Sequence, residues 1–134
     1  MTVRGKLLYR SRRRILSGFI VIWIAAFVAT HIPGENLPEI PTSDRVLHTI
    51  AFFILTGAML LTMIAHMSKR KYRIPFIICV MVIYAALDEL TQPLVGRYNS
   101  VDDWLADVIG VLIAIITGEL FWMWLTRRTK KATT

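Results

Sequence analysis

The chain has 134 residues, 55% of them hydrophobic, with a mean hydropathy of +0.55 and a formal net charge of +7. That length holds one domain, and apolar residues gathered in four long blocks exclude an ordinary soluble core in favour of an integral membrane protein. The positive charge lies in three clusters beside apolar blocks, which excludes a nucleic-acid surface and fits membrane topology, and the lone Cys79 excludes an internal disulfide and reads as inert packing.

Residues 1–14 carry Arg4, Lys6, Arg10, Arg12, Arg13 and Arg14 and read as a basic leader, flexible or lying on the lipid surface. The first apolar block follows from Ile15. A basic stretch before a short apolar one is also the plan of a cleaved signal peptide, but no good small-residue cleavage site is present, so an uncleaved anchor is expected. His31 to Ser43 holds Pro33, Gly34, Pro38 and Pro41 and reads as a loop, with acidic Glu35 and Glu39. Ser43 or Asp44 can cap a second helix from Arg45 to Met67. Lys69, Arg70, Lys71 and Arg73 make a basic turn, and Pro75 suits the first turn of a third helix that ends near Gln92, before Pro93. Ser100 with Asp103 three residues on resembles a capping box for a fourth helix, which runs to about Thr126. Residues 127–134 form a basic tail. The expectation is an all-α four-helix membrane bundle over 15–126, with a leader at 1–14 and a tail at 127–134.

Of the 16 Lys and Arg residues, all but Arg45 and Arg97 lie in the leader, the turn after helix two, or the tail. The positive-inside rule then places both termini in the cytoplasm. With that topology the remaining ionisable residues collect at the opposite end. Asp44, Arg45 and His48 start helix two, Asp88, Glu89 and Gln92 end helix three, and Asp102, Asp103 and Asp107 start helix four. Asp44/His48, Asp88/Gln92 and Asp103/Asp107 are each four residues apart, so each pair shares a helix face.

Asp88 and Glu89 are the sharpest signal. A charged side chain in a span costs roughly 2.5–3.5 kcal/mol on insertion scales. The negative end of the helix dipole adds to that cost, so a cationic partner, an ion or a substrate must favour them. Adjacent carboxylates also couple in titration, which suits acid/base work. His48 is a candidate base or metal ligand that Asp44 can orient. Arg97 reads as a counter-ion, or a clamp for phosphate or carboxylate. Asp102 is explained well enough by the helix dipole, and Thr91 by packing. His31 and His66 read as interfacial, and Glu119 as a partner for a basic neighbour. The tryptophans, Trp104 among them, read as an aromatic belt. Gly110, Ala114 and Gly118 give a small-residue packing face.

The ordered set Asp44-Arg45-x-x-His48-x-x-x-Phe52, then Asp88-Glu89-x-x-Gln92, then Arg97 with Asp103, Asp107 and Gly110, resembles the VanZ-like family over about residues 40–118. Arg45 stands where that family usually has Lys. Asp107 stands where it usually has Asn, which adds a negative charge. The resemblance implies a bacterial cell-envelope protein, and its namesake is associated with resistance to the glycopeptide antibiotic teicoplanin. It names no reaction and no cofactor.

Three functions remain in play. The first is an envelope protein that binds a lipid-linked wall precursor or a glycopeptide-type ligand, with Asp44, Arg45, Gln92, Arg97 and Asp103 as ligand contacts. The second is a membrane enzyme using His48, Asp88, Glu89 and Asp107 for acid/base or metal-assisted chemistry on a lipid. The third is a small proton-coupled transporter, for which four spans would call for a homo-oligomer. Membrane lipid is the expected partner and nucleic acid is not.

Overall fold

A computed structural model describes residues 3–33, 43–66 and 69–131. It contains four α-helices and, among the described residues, no strand: α1 (Val3–Thr30), α2 (Asp44–His66), α3 (Arg70–Thr91) and α4 (Val101–Lys131). The 23 residues of α2 reach about 34 Å at 1.5 Å per residue, enough for a hydrocarbon layer about 30 Å thick. All four helices are long and apolar enough to cross a membrane. Large apolar side chains such as Ile20, Ile54, Ile83, Leu90, Ile113 and Leu120 point outward from the bundle. That is the arrangement of a protein whose solvent is lipid.

One buried stripe runs down each of three helices. On α2 it is His48, Phe52, Leu55, Met59 and Thr62. On α3 it is Arg73, Ile77, Met81, Ala85 and Asp88, and on α4 Asp107, Val111, Ala114, Ile115 and Glu119. The steps of three and four residues place these side chains on one face, and the apolar middle of each stripe forms a single core. Each stripe ends in polar residues. Lipid tails are as apolar as Leu, so helices in a bilayer are held by close packing and interhelical hydrogen bonds more than by hydrophobic burial. Gly110 supplies such packing, because a Cβ there would meet the carbonyl oxygen of Thr49 on α2. Beside it the Thr49 hydroxyl donates to the Ala106 carbonyl at 3.1 Å.

α1 lies outside this trio. Phe19, Ile22, Trp23 and Ala26 pack on the core, and Trp23 meets Tyr84 of α3 edge-on, with ring centroids 4.7 Å apart. At its end Thr30 is buried. At the basic end of the bundle Arg73 donates to Glu119 Oε1 at 2.6 and 2.9 Å, with both side chains buried, and Arg70 lies 3.1 Å from Oε2. Glu119 therefore does pair with basic neighbours, and Arg73 belongs to the bundle interior rather than to a solvated turn.

Several boundaries differ from the sequence reading. Helical structure starts at Val3, so the described part of the leader continues α1 instead of forming a separate segment. Likewise α4 runs through the first tail residues to Lys131. α3 begins at Arg70, which places Pro75 inside the helix beyond its first turn. Cys79 is exposed on the outer face and is not core packing. Met67 and the loop residues Gly34, Glu35, Pro38, Glu39 and Pro41 lie outside the described residues.

Candidate functional site

The end of α3 sets the site. Pro93 stops regular helix, and Gln92–Val95 tightens into a 3-10 turn closed by Gly96 at φ 73°. That left-handed conformation suits glycine, and it turns the chain so that the Arg97 backbone N–H reaches the Gln92 carbonyl. Ser100 then caps α4, its Oγ accepting from the Asp103 N–H at 3.3 Å. The other half of the expected capping box is taken over by α3. The Ser100 N–H donates to Glu89 Oε2 at 2.8 Å, so Glu89 bridges the end of one helix and the start of the next.

Around this bridge the four proposed catalytic side chains come together. His48, Asp88, Glu89 and Asp107 are all buried. His48 Nδ1–H donates to Asp107 Oδ1 at 2.9 Å, and Glu89 Oε1 lies 3.7 Å from the same nitrogen. The Gln92 amide donates to Asp88 Oδ2 at 3.3 Å and to Glu89 Oε1 at 3.2 Å. Asp88 Oδ1 accepts from the Thr30 hydroxyl at 2.8 Å, which ties in α1. His31 Nδ1 is 3.8 Å from that oxygen, and its Nε2 is 2.9 Å from Thr91 Oγ1. Asp107 Oδ2 is buried with no hydrogen-bond partner among the described residues.

The proposed ligand contacts divide. Gln92 lies inside the cluster. Arg97 is mostly buried beside it, donating to Asp44 Oδ2 at 3.0 Å and to the Thr30 carbonyl at 3.2 Å. Asp44 is thus held by Arg97, and the residue that orients His48 is Asp107. Asp103 is half-buried, and with Asp44 and His48 it offers ligand atoms within 4.8 Å of one another. Arg45 is not part of the cluster: it pairs with Asp102 on the surface, both side chains more than half exposed. The sequence does not single out Thr30, and it reads His31 as interfacial, Thr91 as packing and Trp104 as belt, whereas all four border the cluster or its cavity. Polar residues closing an apolar block just before Pro33 were the available signal for the first two.

A cavity of about 290 Å³ opens against Glu89. Ala86, Leu90 and Val101 form apolar walls, while Asn99, Ser100 and Trp104 add polar groups. The Trp104 indole N–H is buried and has no acceptor among the described residues. A carboxylate, an amide and an indole ring around an apolar slot can hold a ligand that is polar at one end and greasy at the other. The His48–Asp107 pair can in addition accept and return a proton.

These features define a small multi-pass membrane protein with a buried carboxylate–histidine cluster where its helix ends meet. A search of curated proteins and one of solved structures give no match. The family model described as VanZ/LLP1 matches residues 7–125, nearly the whole chain, and the protein belongs to that family.

Proposed function

We propose that this protein is a bacterial cell-envelope protein of the resistance type, oriented with both termini in the cytoplasm. In that orientation the Asp88/Glu89/His48/Asp107 cluster lies near the outer leaflet, and the adjoining cavity binds the head of a lipid-linked wall precursor. One observation carries this reading: the cavity joins apolar walls to Glu89, Asn99 and Trp104 at a helix end. A precursor head offers hydroxyl, amide and amine groups to such a wall, and its lipid stem can lie along Ala86 and Leu90. A glycopeptide-type drug would meet the protein at the same outer end.

The test is to purify the protein in mild detergent and identify co-purifying lipids by mass spectrometry. The wild type is expected to retain a precursor-type amphiphile that Glu89→Gln and Trp104→Phe lose. Identical lipid profiles in all three would refute the assignment. A second reading, acid/base chemistry on a lipid, is favoured by the 2.9 Å His48–Asp107 contact. A drug-susceptibility phenotype separates the two. Binding predicts that Glu89→Gln and Trp104→Phe abolish protection while His48→Gln keeps part of it. Chemistry predicts that Glu89→Gln and His48→Gln abolish it. The orientation is checked by protease added outside intact cells, which should spare a tag at the C-terminus.

A further inference from the structure

The buried cluster has an unbalanced charge inventory. Asp88, Glu89 and Asp107 bring three buried carboxyl groups together with the His48 imidazole, and the only other imidazole nearby among the described residues, His31, stands off at 3.8 Å from Asp88. The arginines at this end are engaged elsewhere, Arg97 with Asp44 and Arg45 with Asp102. Among the described residues no Lys or Arg side chain pairs with the three carboxyl groups. Breaking or omitting a partner for a buried charge is among the costliest defects a fold can carry. Hydrogen bonds from Gln92, Thr30 and the Ser100 N–H satisfy some of the oxygens but supply no charge. Asp107 Oδ2 stays buried with no partner among the described residues, on a side chain whose other oxygen bonds His48.

We propose that His48, Asp88 and Glu89 form a divalent transition-metal site, with Asp107 at its edge. One ligand atom from each of the three lies within 4.8 Å of the others. Ligands sharing a tetrahedral Zn²⁺ at roughly 2.0–2.2 Å sit about 3.3–3.6 Å apart, so the set closes on an ion by a contraction of at most about 1.5 Å, within reach of side-chain rotation. One imidazole and two carboxylates select Zn²⁺ or Mn²⁺ over Ca²⁺ and Mg²⁺, which take oxygen-only shells. Asp107 serves in one of two ways. It accepts the imidazole N–H and so orients the ring if the other ring nitrogen binds, or it becomes a fourth ligand if the ion displaces the shared proton. The neighbouring set of Asp44, His48 and Asp103 is a poorer host, because the Arg97 guanidinium already occupies Asp44. With Asp107 outside the shell, three protein ligands leave one coordination position open, and Glu89, which also lines the cavity, joins the ion to the space where a phosphate or hydroxyl oxygen of the head would lie.

This inference rests on the same cluster as the proposed ligand site, and its test fails separately. Protein without a polyhistidine tag, in lipid nanodiscs, is stripped with chelator, equilibrated with Zn²⁺ or Mn²⁺, freed of unbound metal and assayed by elemental mass spectrometry. One ion per chain is expected for the wild type and for Asp102→Asn. At least a tenfold loss of affinity is expected for Glu89→Gln and Asp88→Asn, with helical circular dichroism confirming that both variants fold. Co²⁺ should give a visible absorption band in the wild type that both variants lose. Retention of no ion, or equal binding in wild type, Glu89→Gln and Asp88→Asn, would overturn the site. A precursor that co-purifies without metal would overturn it too, while leaving the ligand reading intact. Metal binding without any amphiphile would do the reverse.

Discussion

Gly110→Ala probes the contact that aligns the site. A Cβ at 110 would press on the Thr49 carbonyl oxygen and approach the Phe53 nitrogen to 3.1 Å and the Thr49 carbonyl carbon to 3.2 Å. All of these are backbone atoms of α2, so relief requires the two helices to part. Overpacking of this kind costs typically about 1–3 kcal/mol. Alanine recovers up to about 1 kcal/mol as helix propensity over glycine, which leaves a net loss of up to about 2 kcal/mol. Parting the helices also lengthens the Thr49–Ala106 and His48–Asp107 bonds. Gly118→Ala is the matched control. Its Cβ would meet chiefly the Leu60 Cδ2 atom, at 2.5 Å, and that methyl can swing aside. A rotamer shift there costs roughly 0.5–1.5 kcal/mol, so the propensity gain nearly cancels it. Thermal unfolding in detergent, followed by circular dichroism, reads both. A Gly118→Ala melting point as low as or lower than that of Gly110→Ala would refute the reasoning.

Other substitutions test separate parts of the account. Glu119→Ala leaves the Arg73 guanidinium buried without its carboxylate and should destabilise by about 3–5 kcal/mol, whereas Arg70→Ala, at a mostly exposed partner, should cost less than about 1 kcal/mol in the same melts. Arg45→Ala removes only a surface pair, so its melting point should stay close to wild type; Arg97→Ala cuts the tie from the α3–α4 loop to Asp44 and to the Thr30 carbonyl and should lower it clearly. Ser100→Ala removes the α4 cap and should cost about 0.5–2 kcal/mol.

How far the sequence could be read follows from where its signals come from. The four spans were legible because a bilayer demands some twenty apolar residues in a row, and that pattern survives any packing. Their exact ends were not. Helix propensity carries α1 back through the Arg-rich leader to Val3 and α4 on to Lys131, past the apolar blocks that marked them. The cluster of His48, Asp88, Glu89 and Asp107 was legible because ionisable residues in a span are costly and spacing put them at matching helix ends. Pairing within it was not legible. Asp44, four residues before His48, is the natural local orienter, yet α2–α4 packing hands that task to Asp107 and turns Asp44 to Arg97. Arg45 failed for a related reason: its helix face points away from the bundle, toward Asp102. The exchange of the Ser100 N–H from Asp103 to Glu89 depends on the 3-10 turn at Gln92–Val95, which no local motif announces. Trp104 reads as a belt residue by position alone, and only the fold places it beside Glu89.

The account stands on His48 and Asp107 acting as one buried unit across two helices. A double-mutant cycle on thermal stability, with His48→Gln, Asp107→Asn and the combined variant, measures that directly. Residues in one hydrogen-bonded network couple by about 0.5–3 kcal/mol, and this buried pair at 2.9 Å should couple by at least about 1 kcal/mol. Losses that simply add, to within about 0.3–0.5 kcal/mol, would mean that the two side chains do not meet.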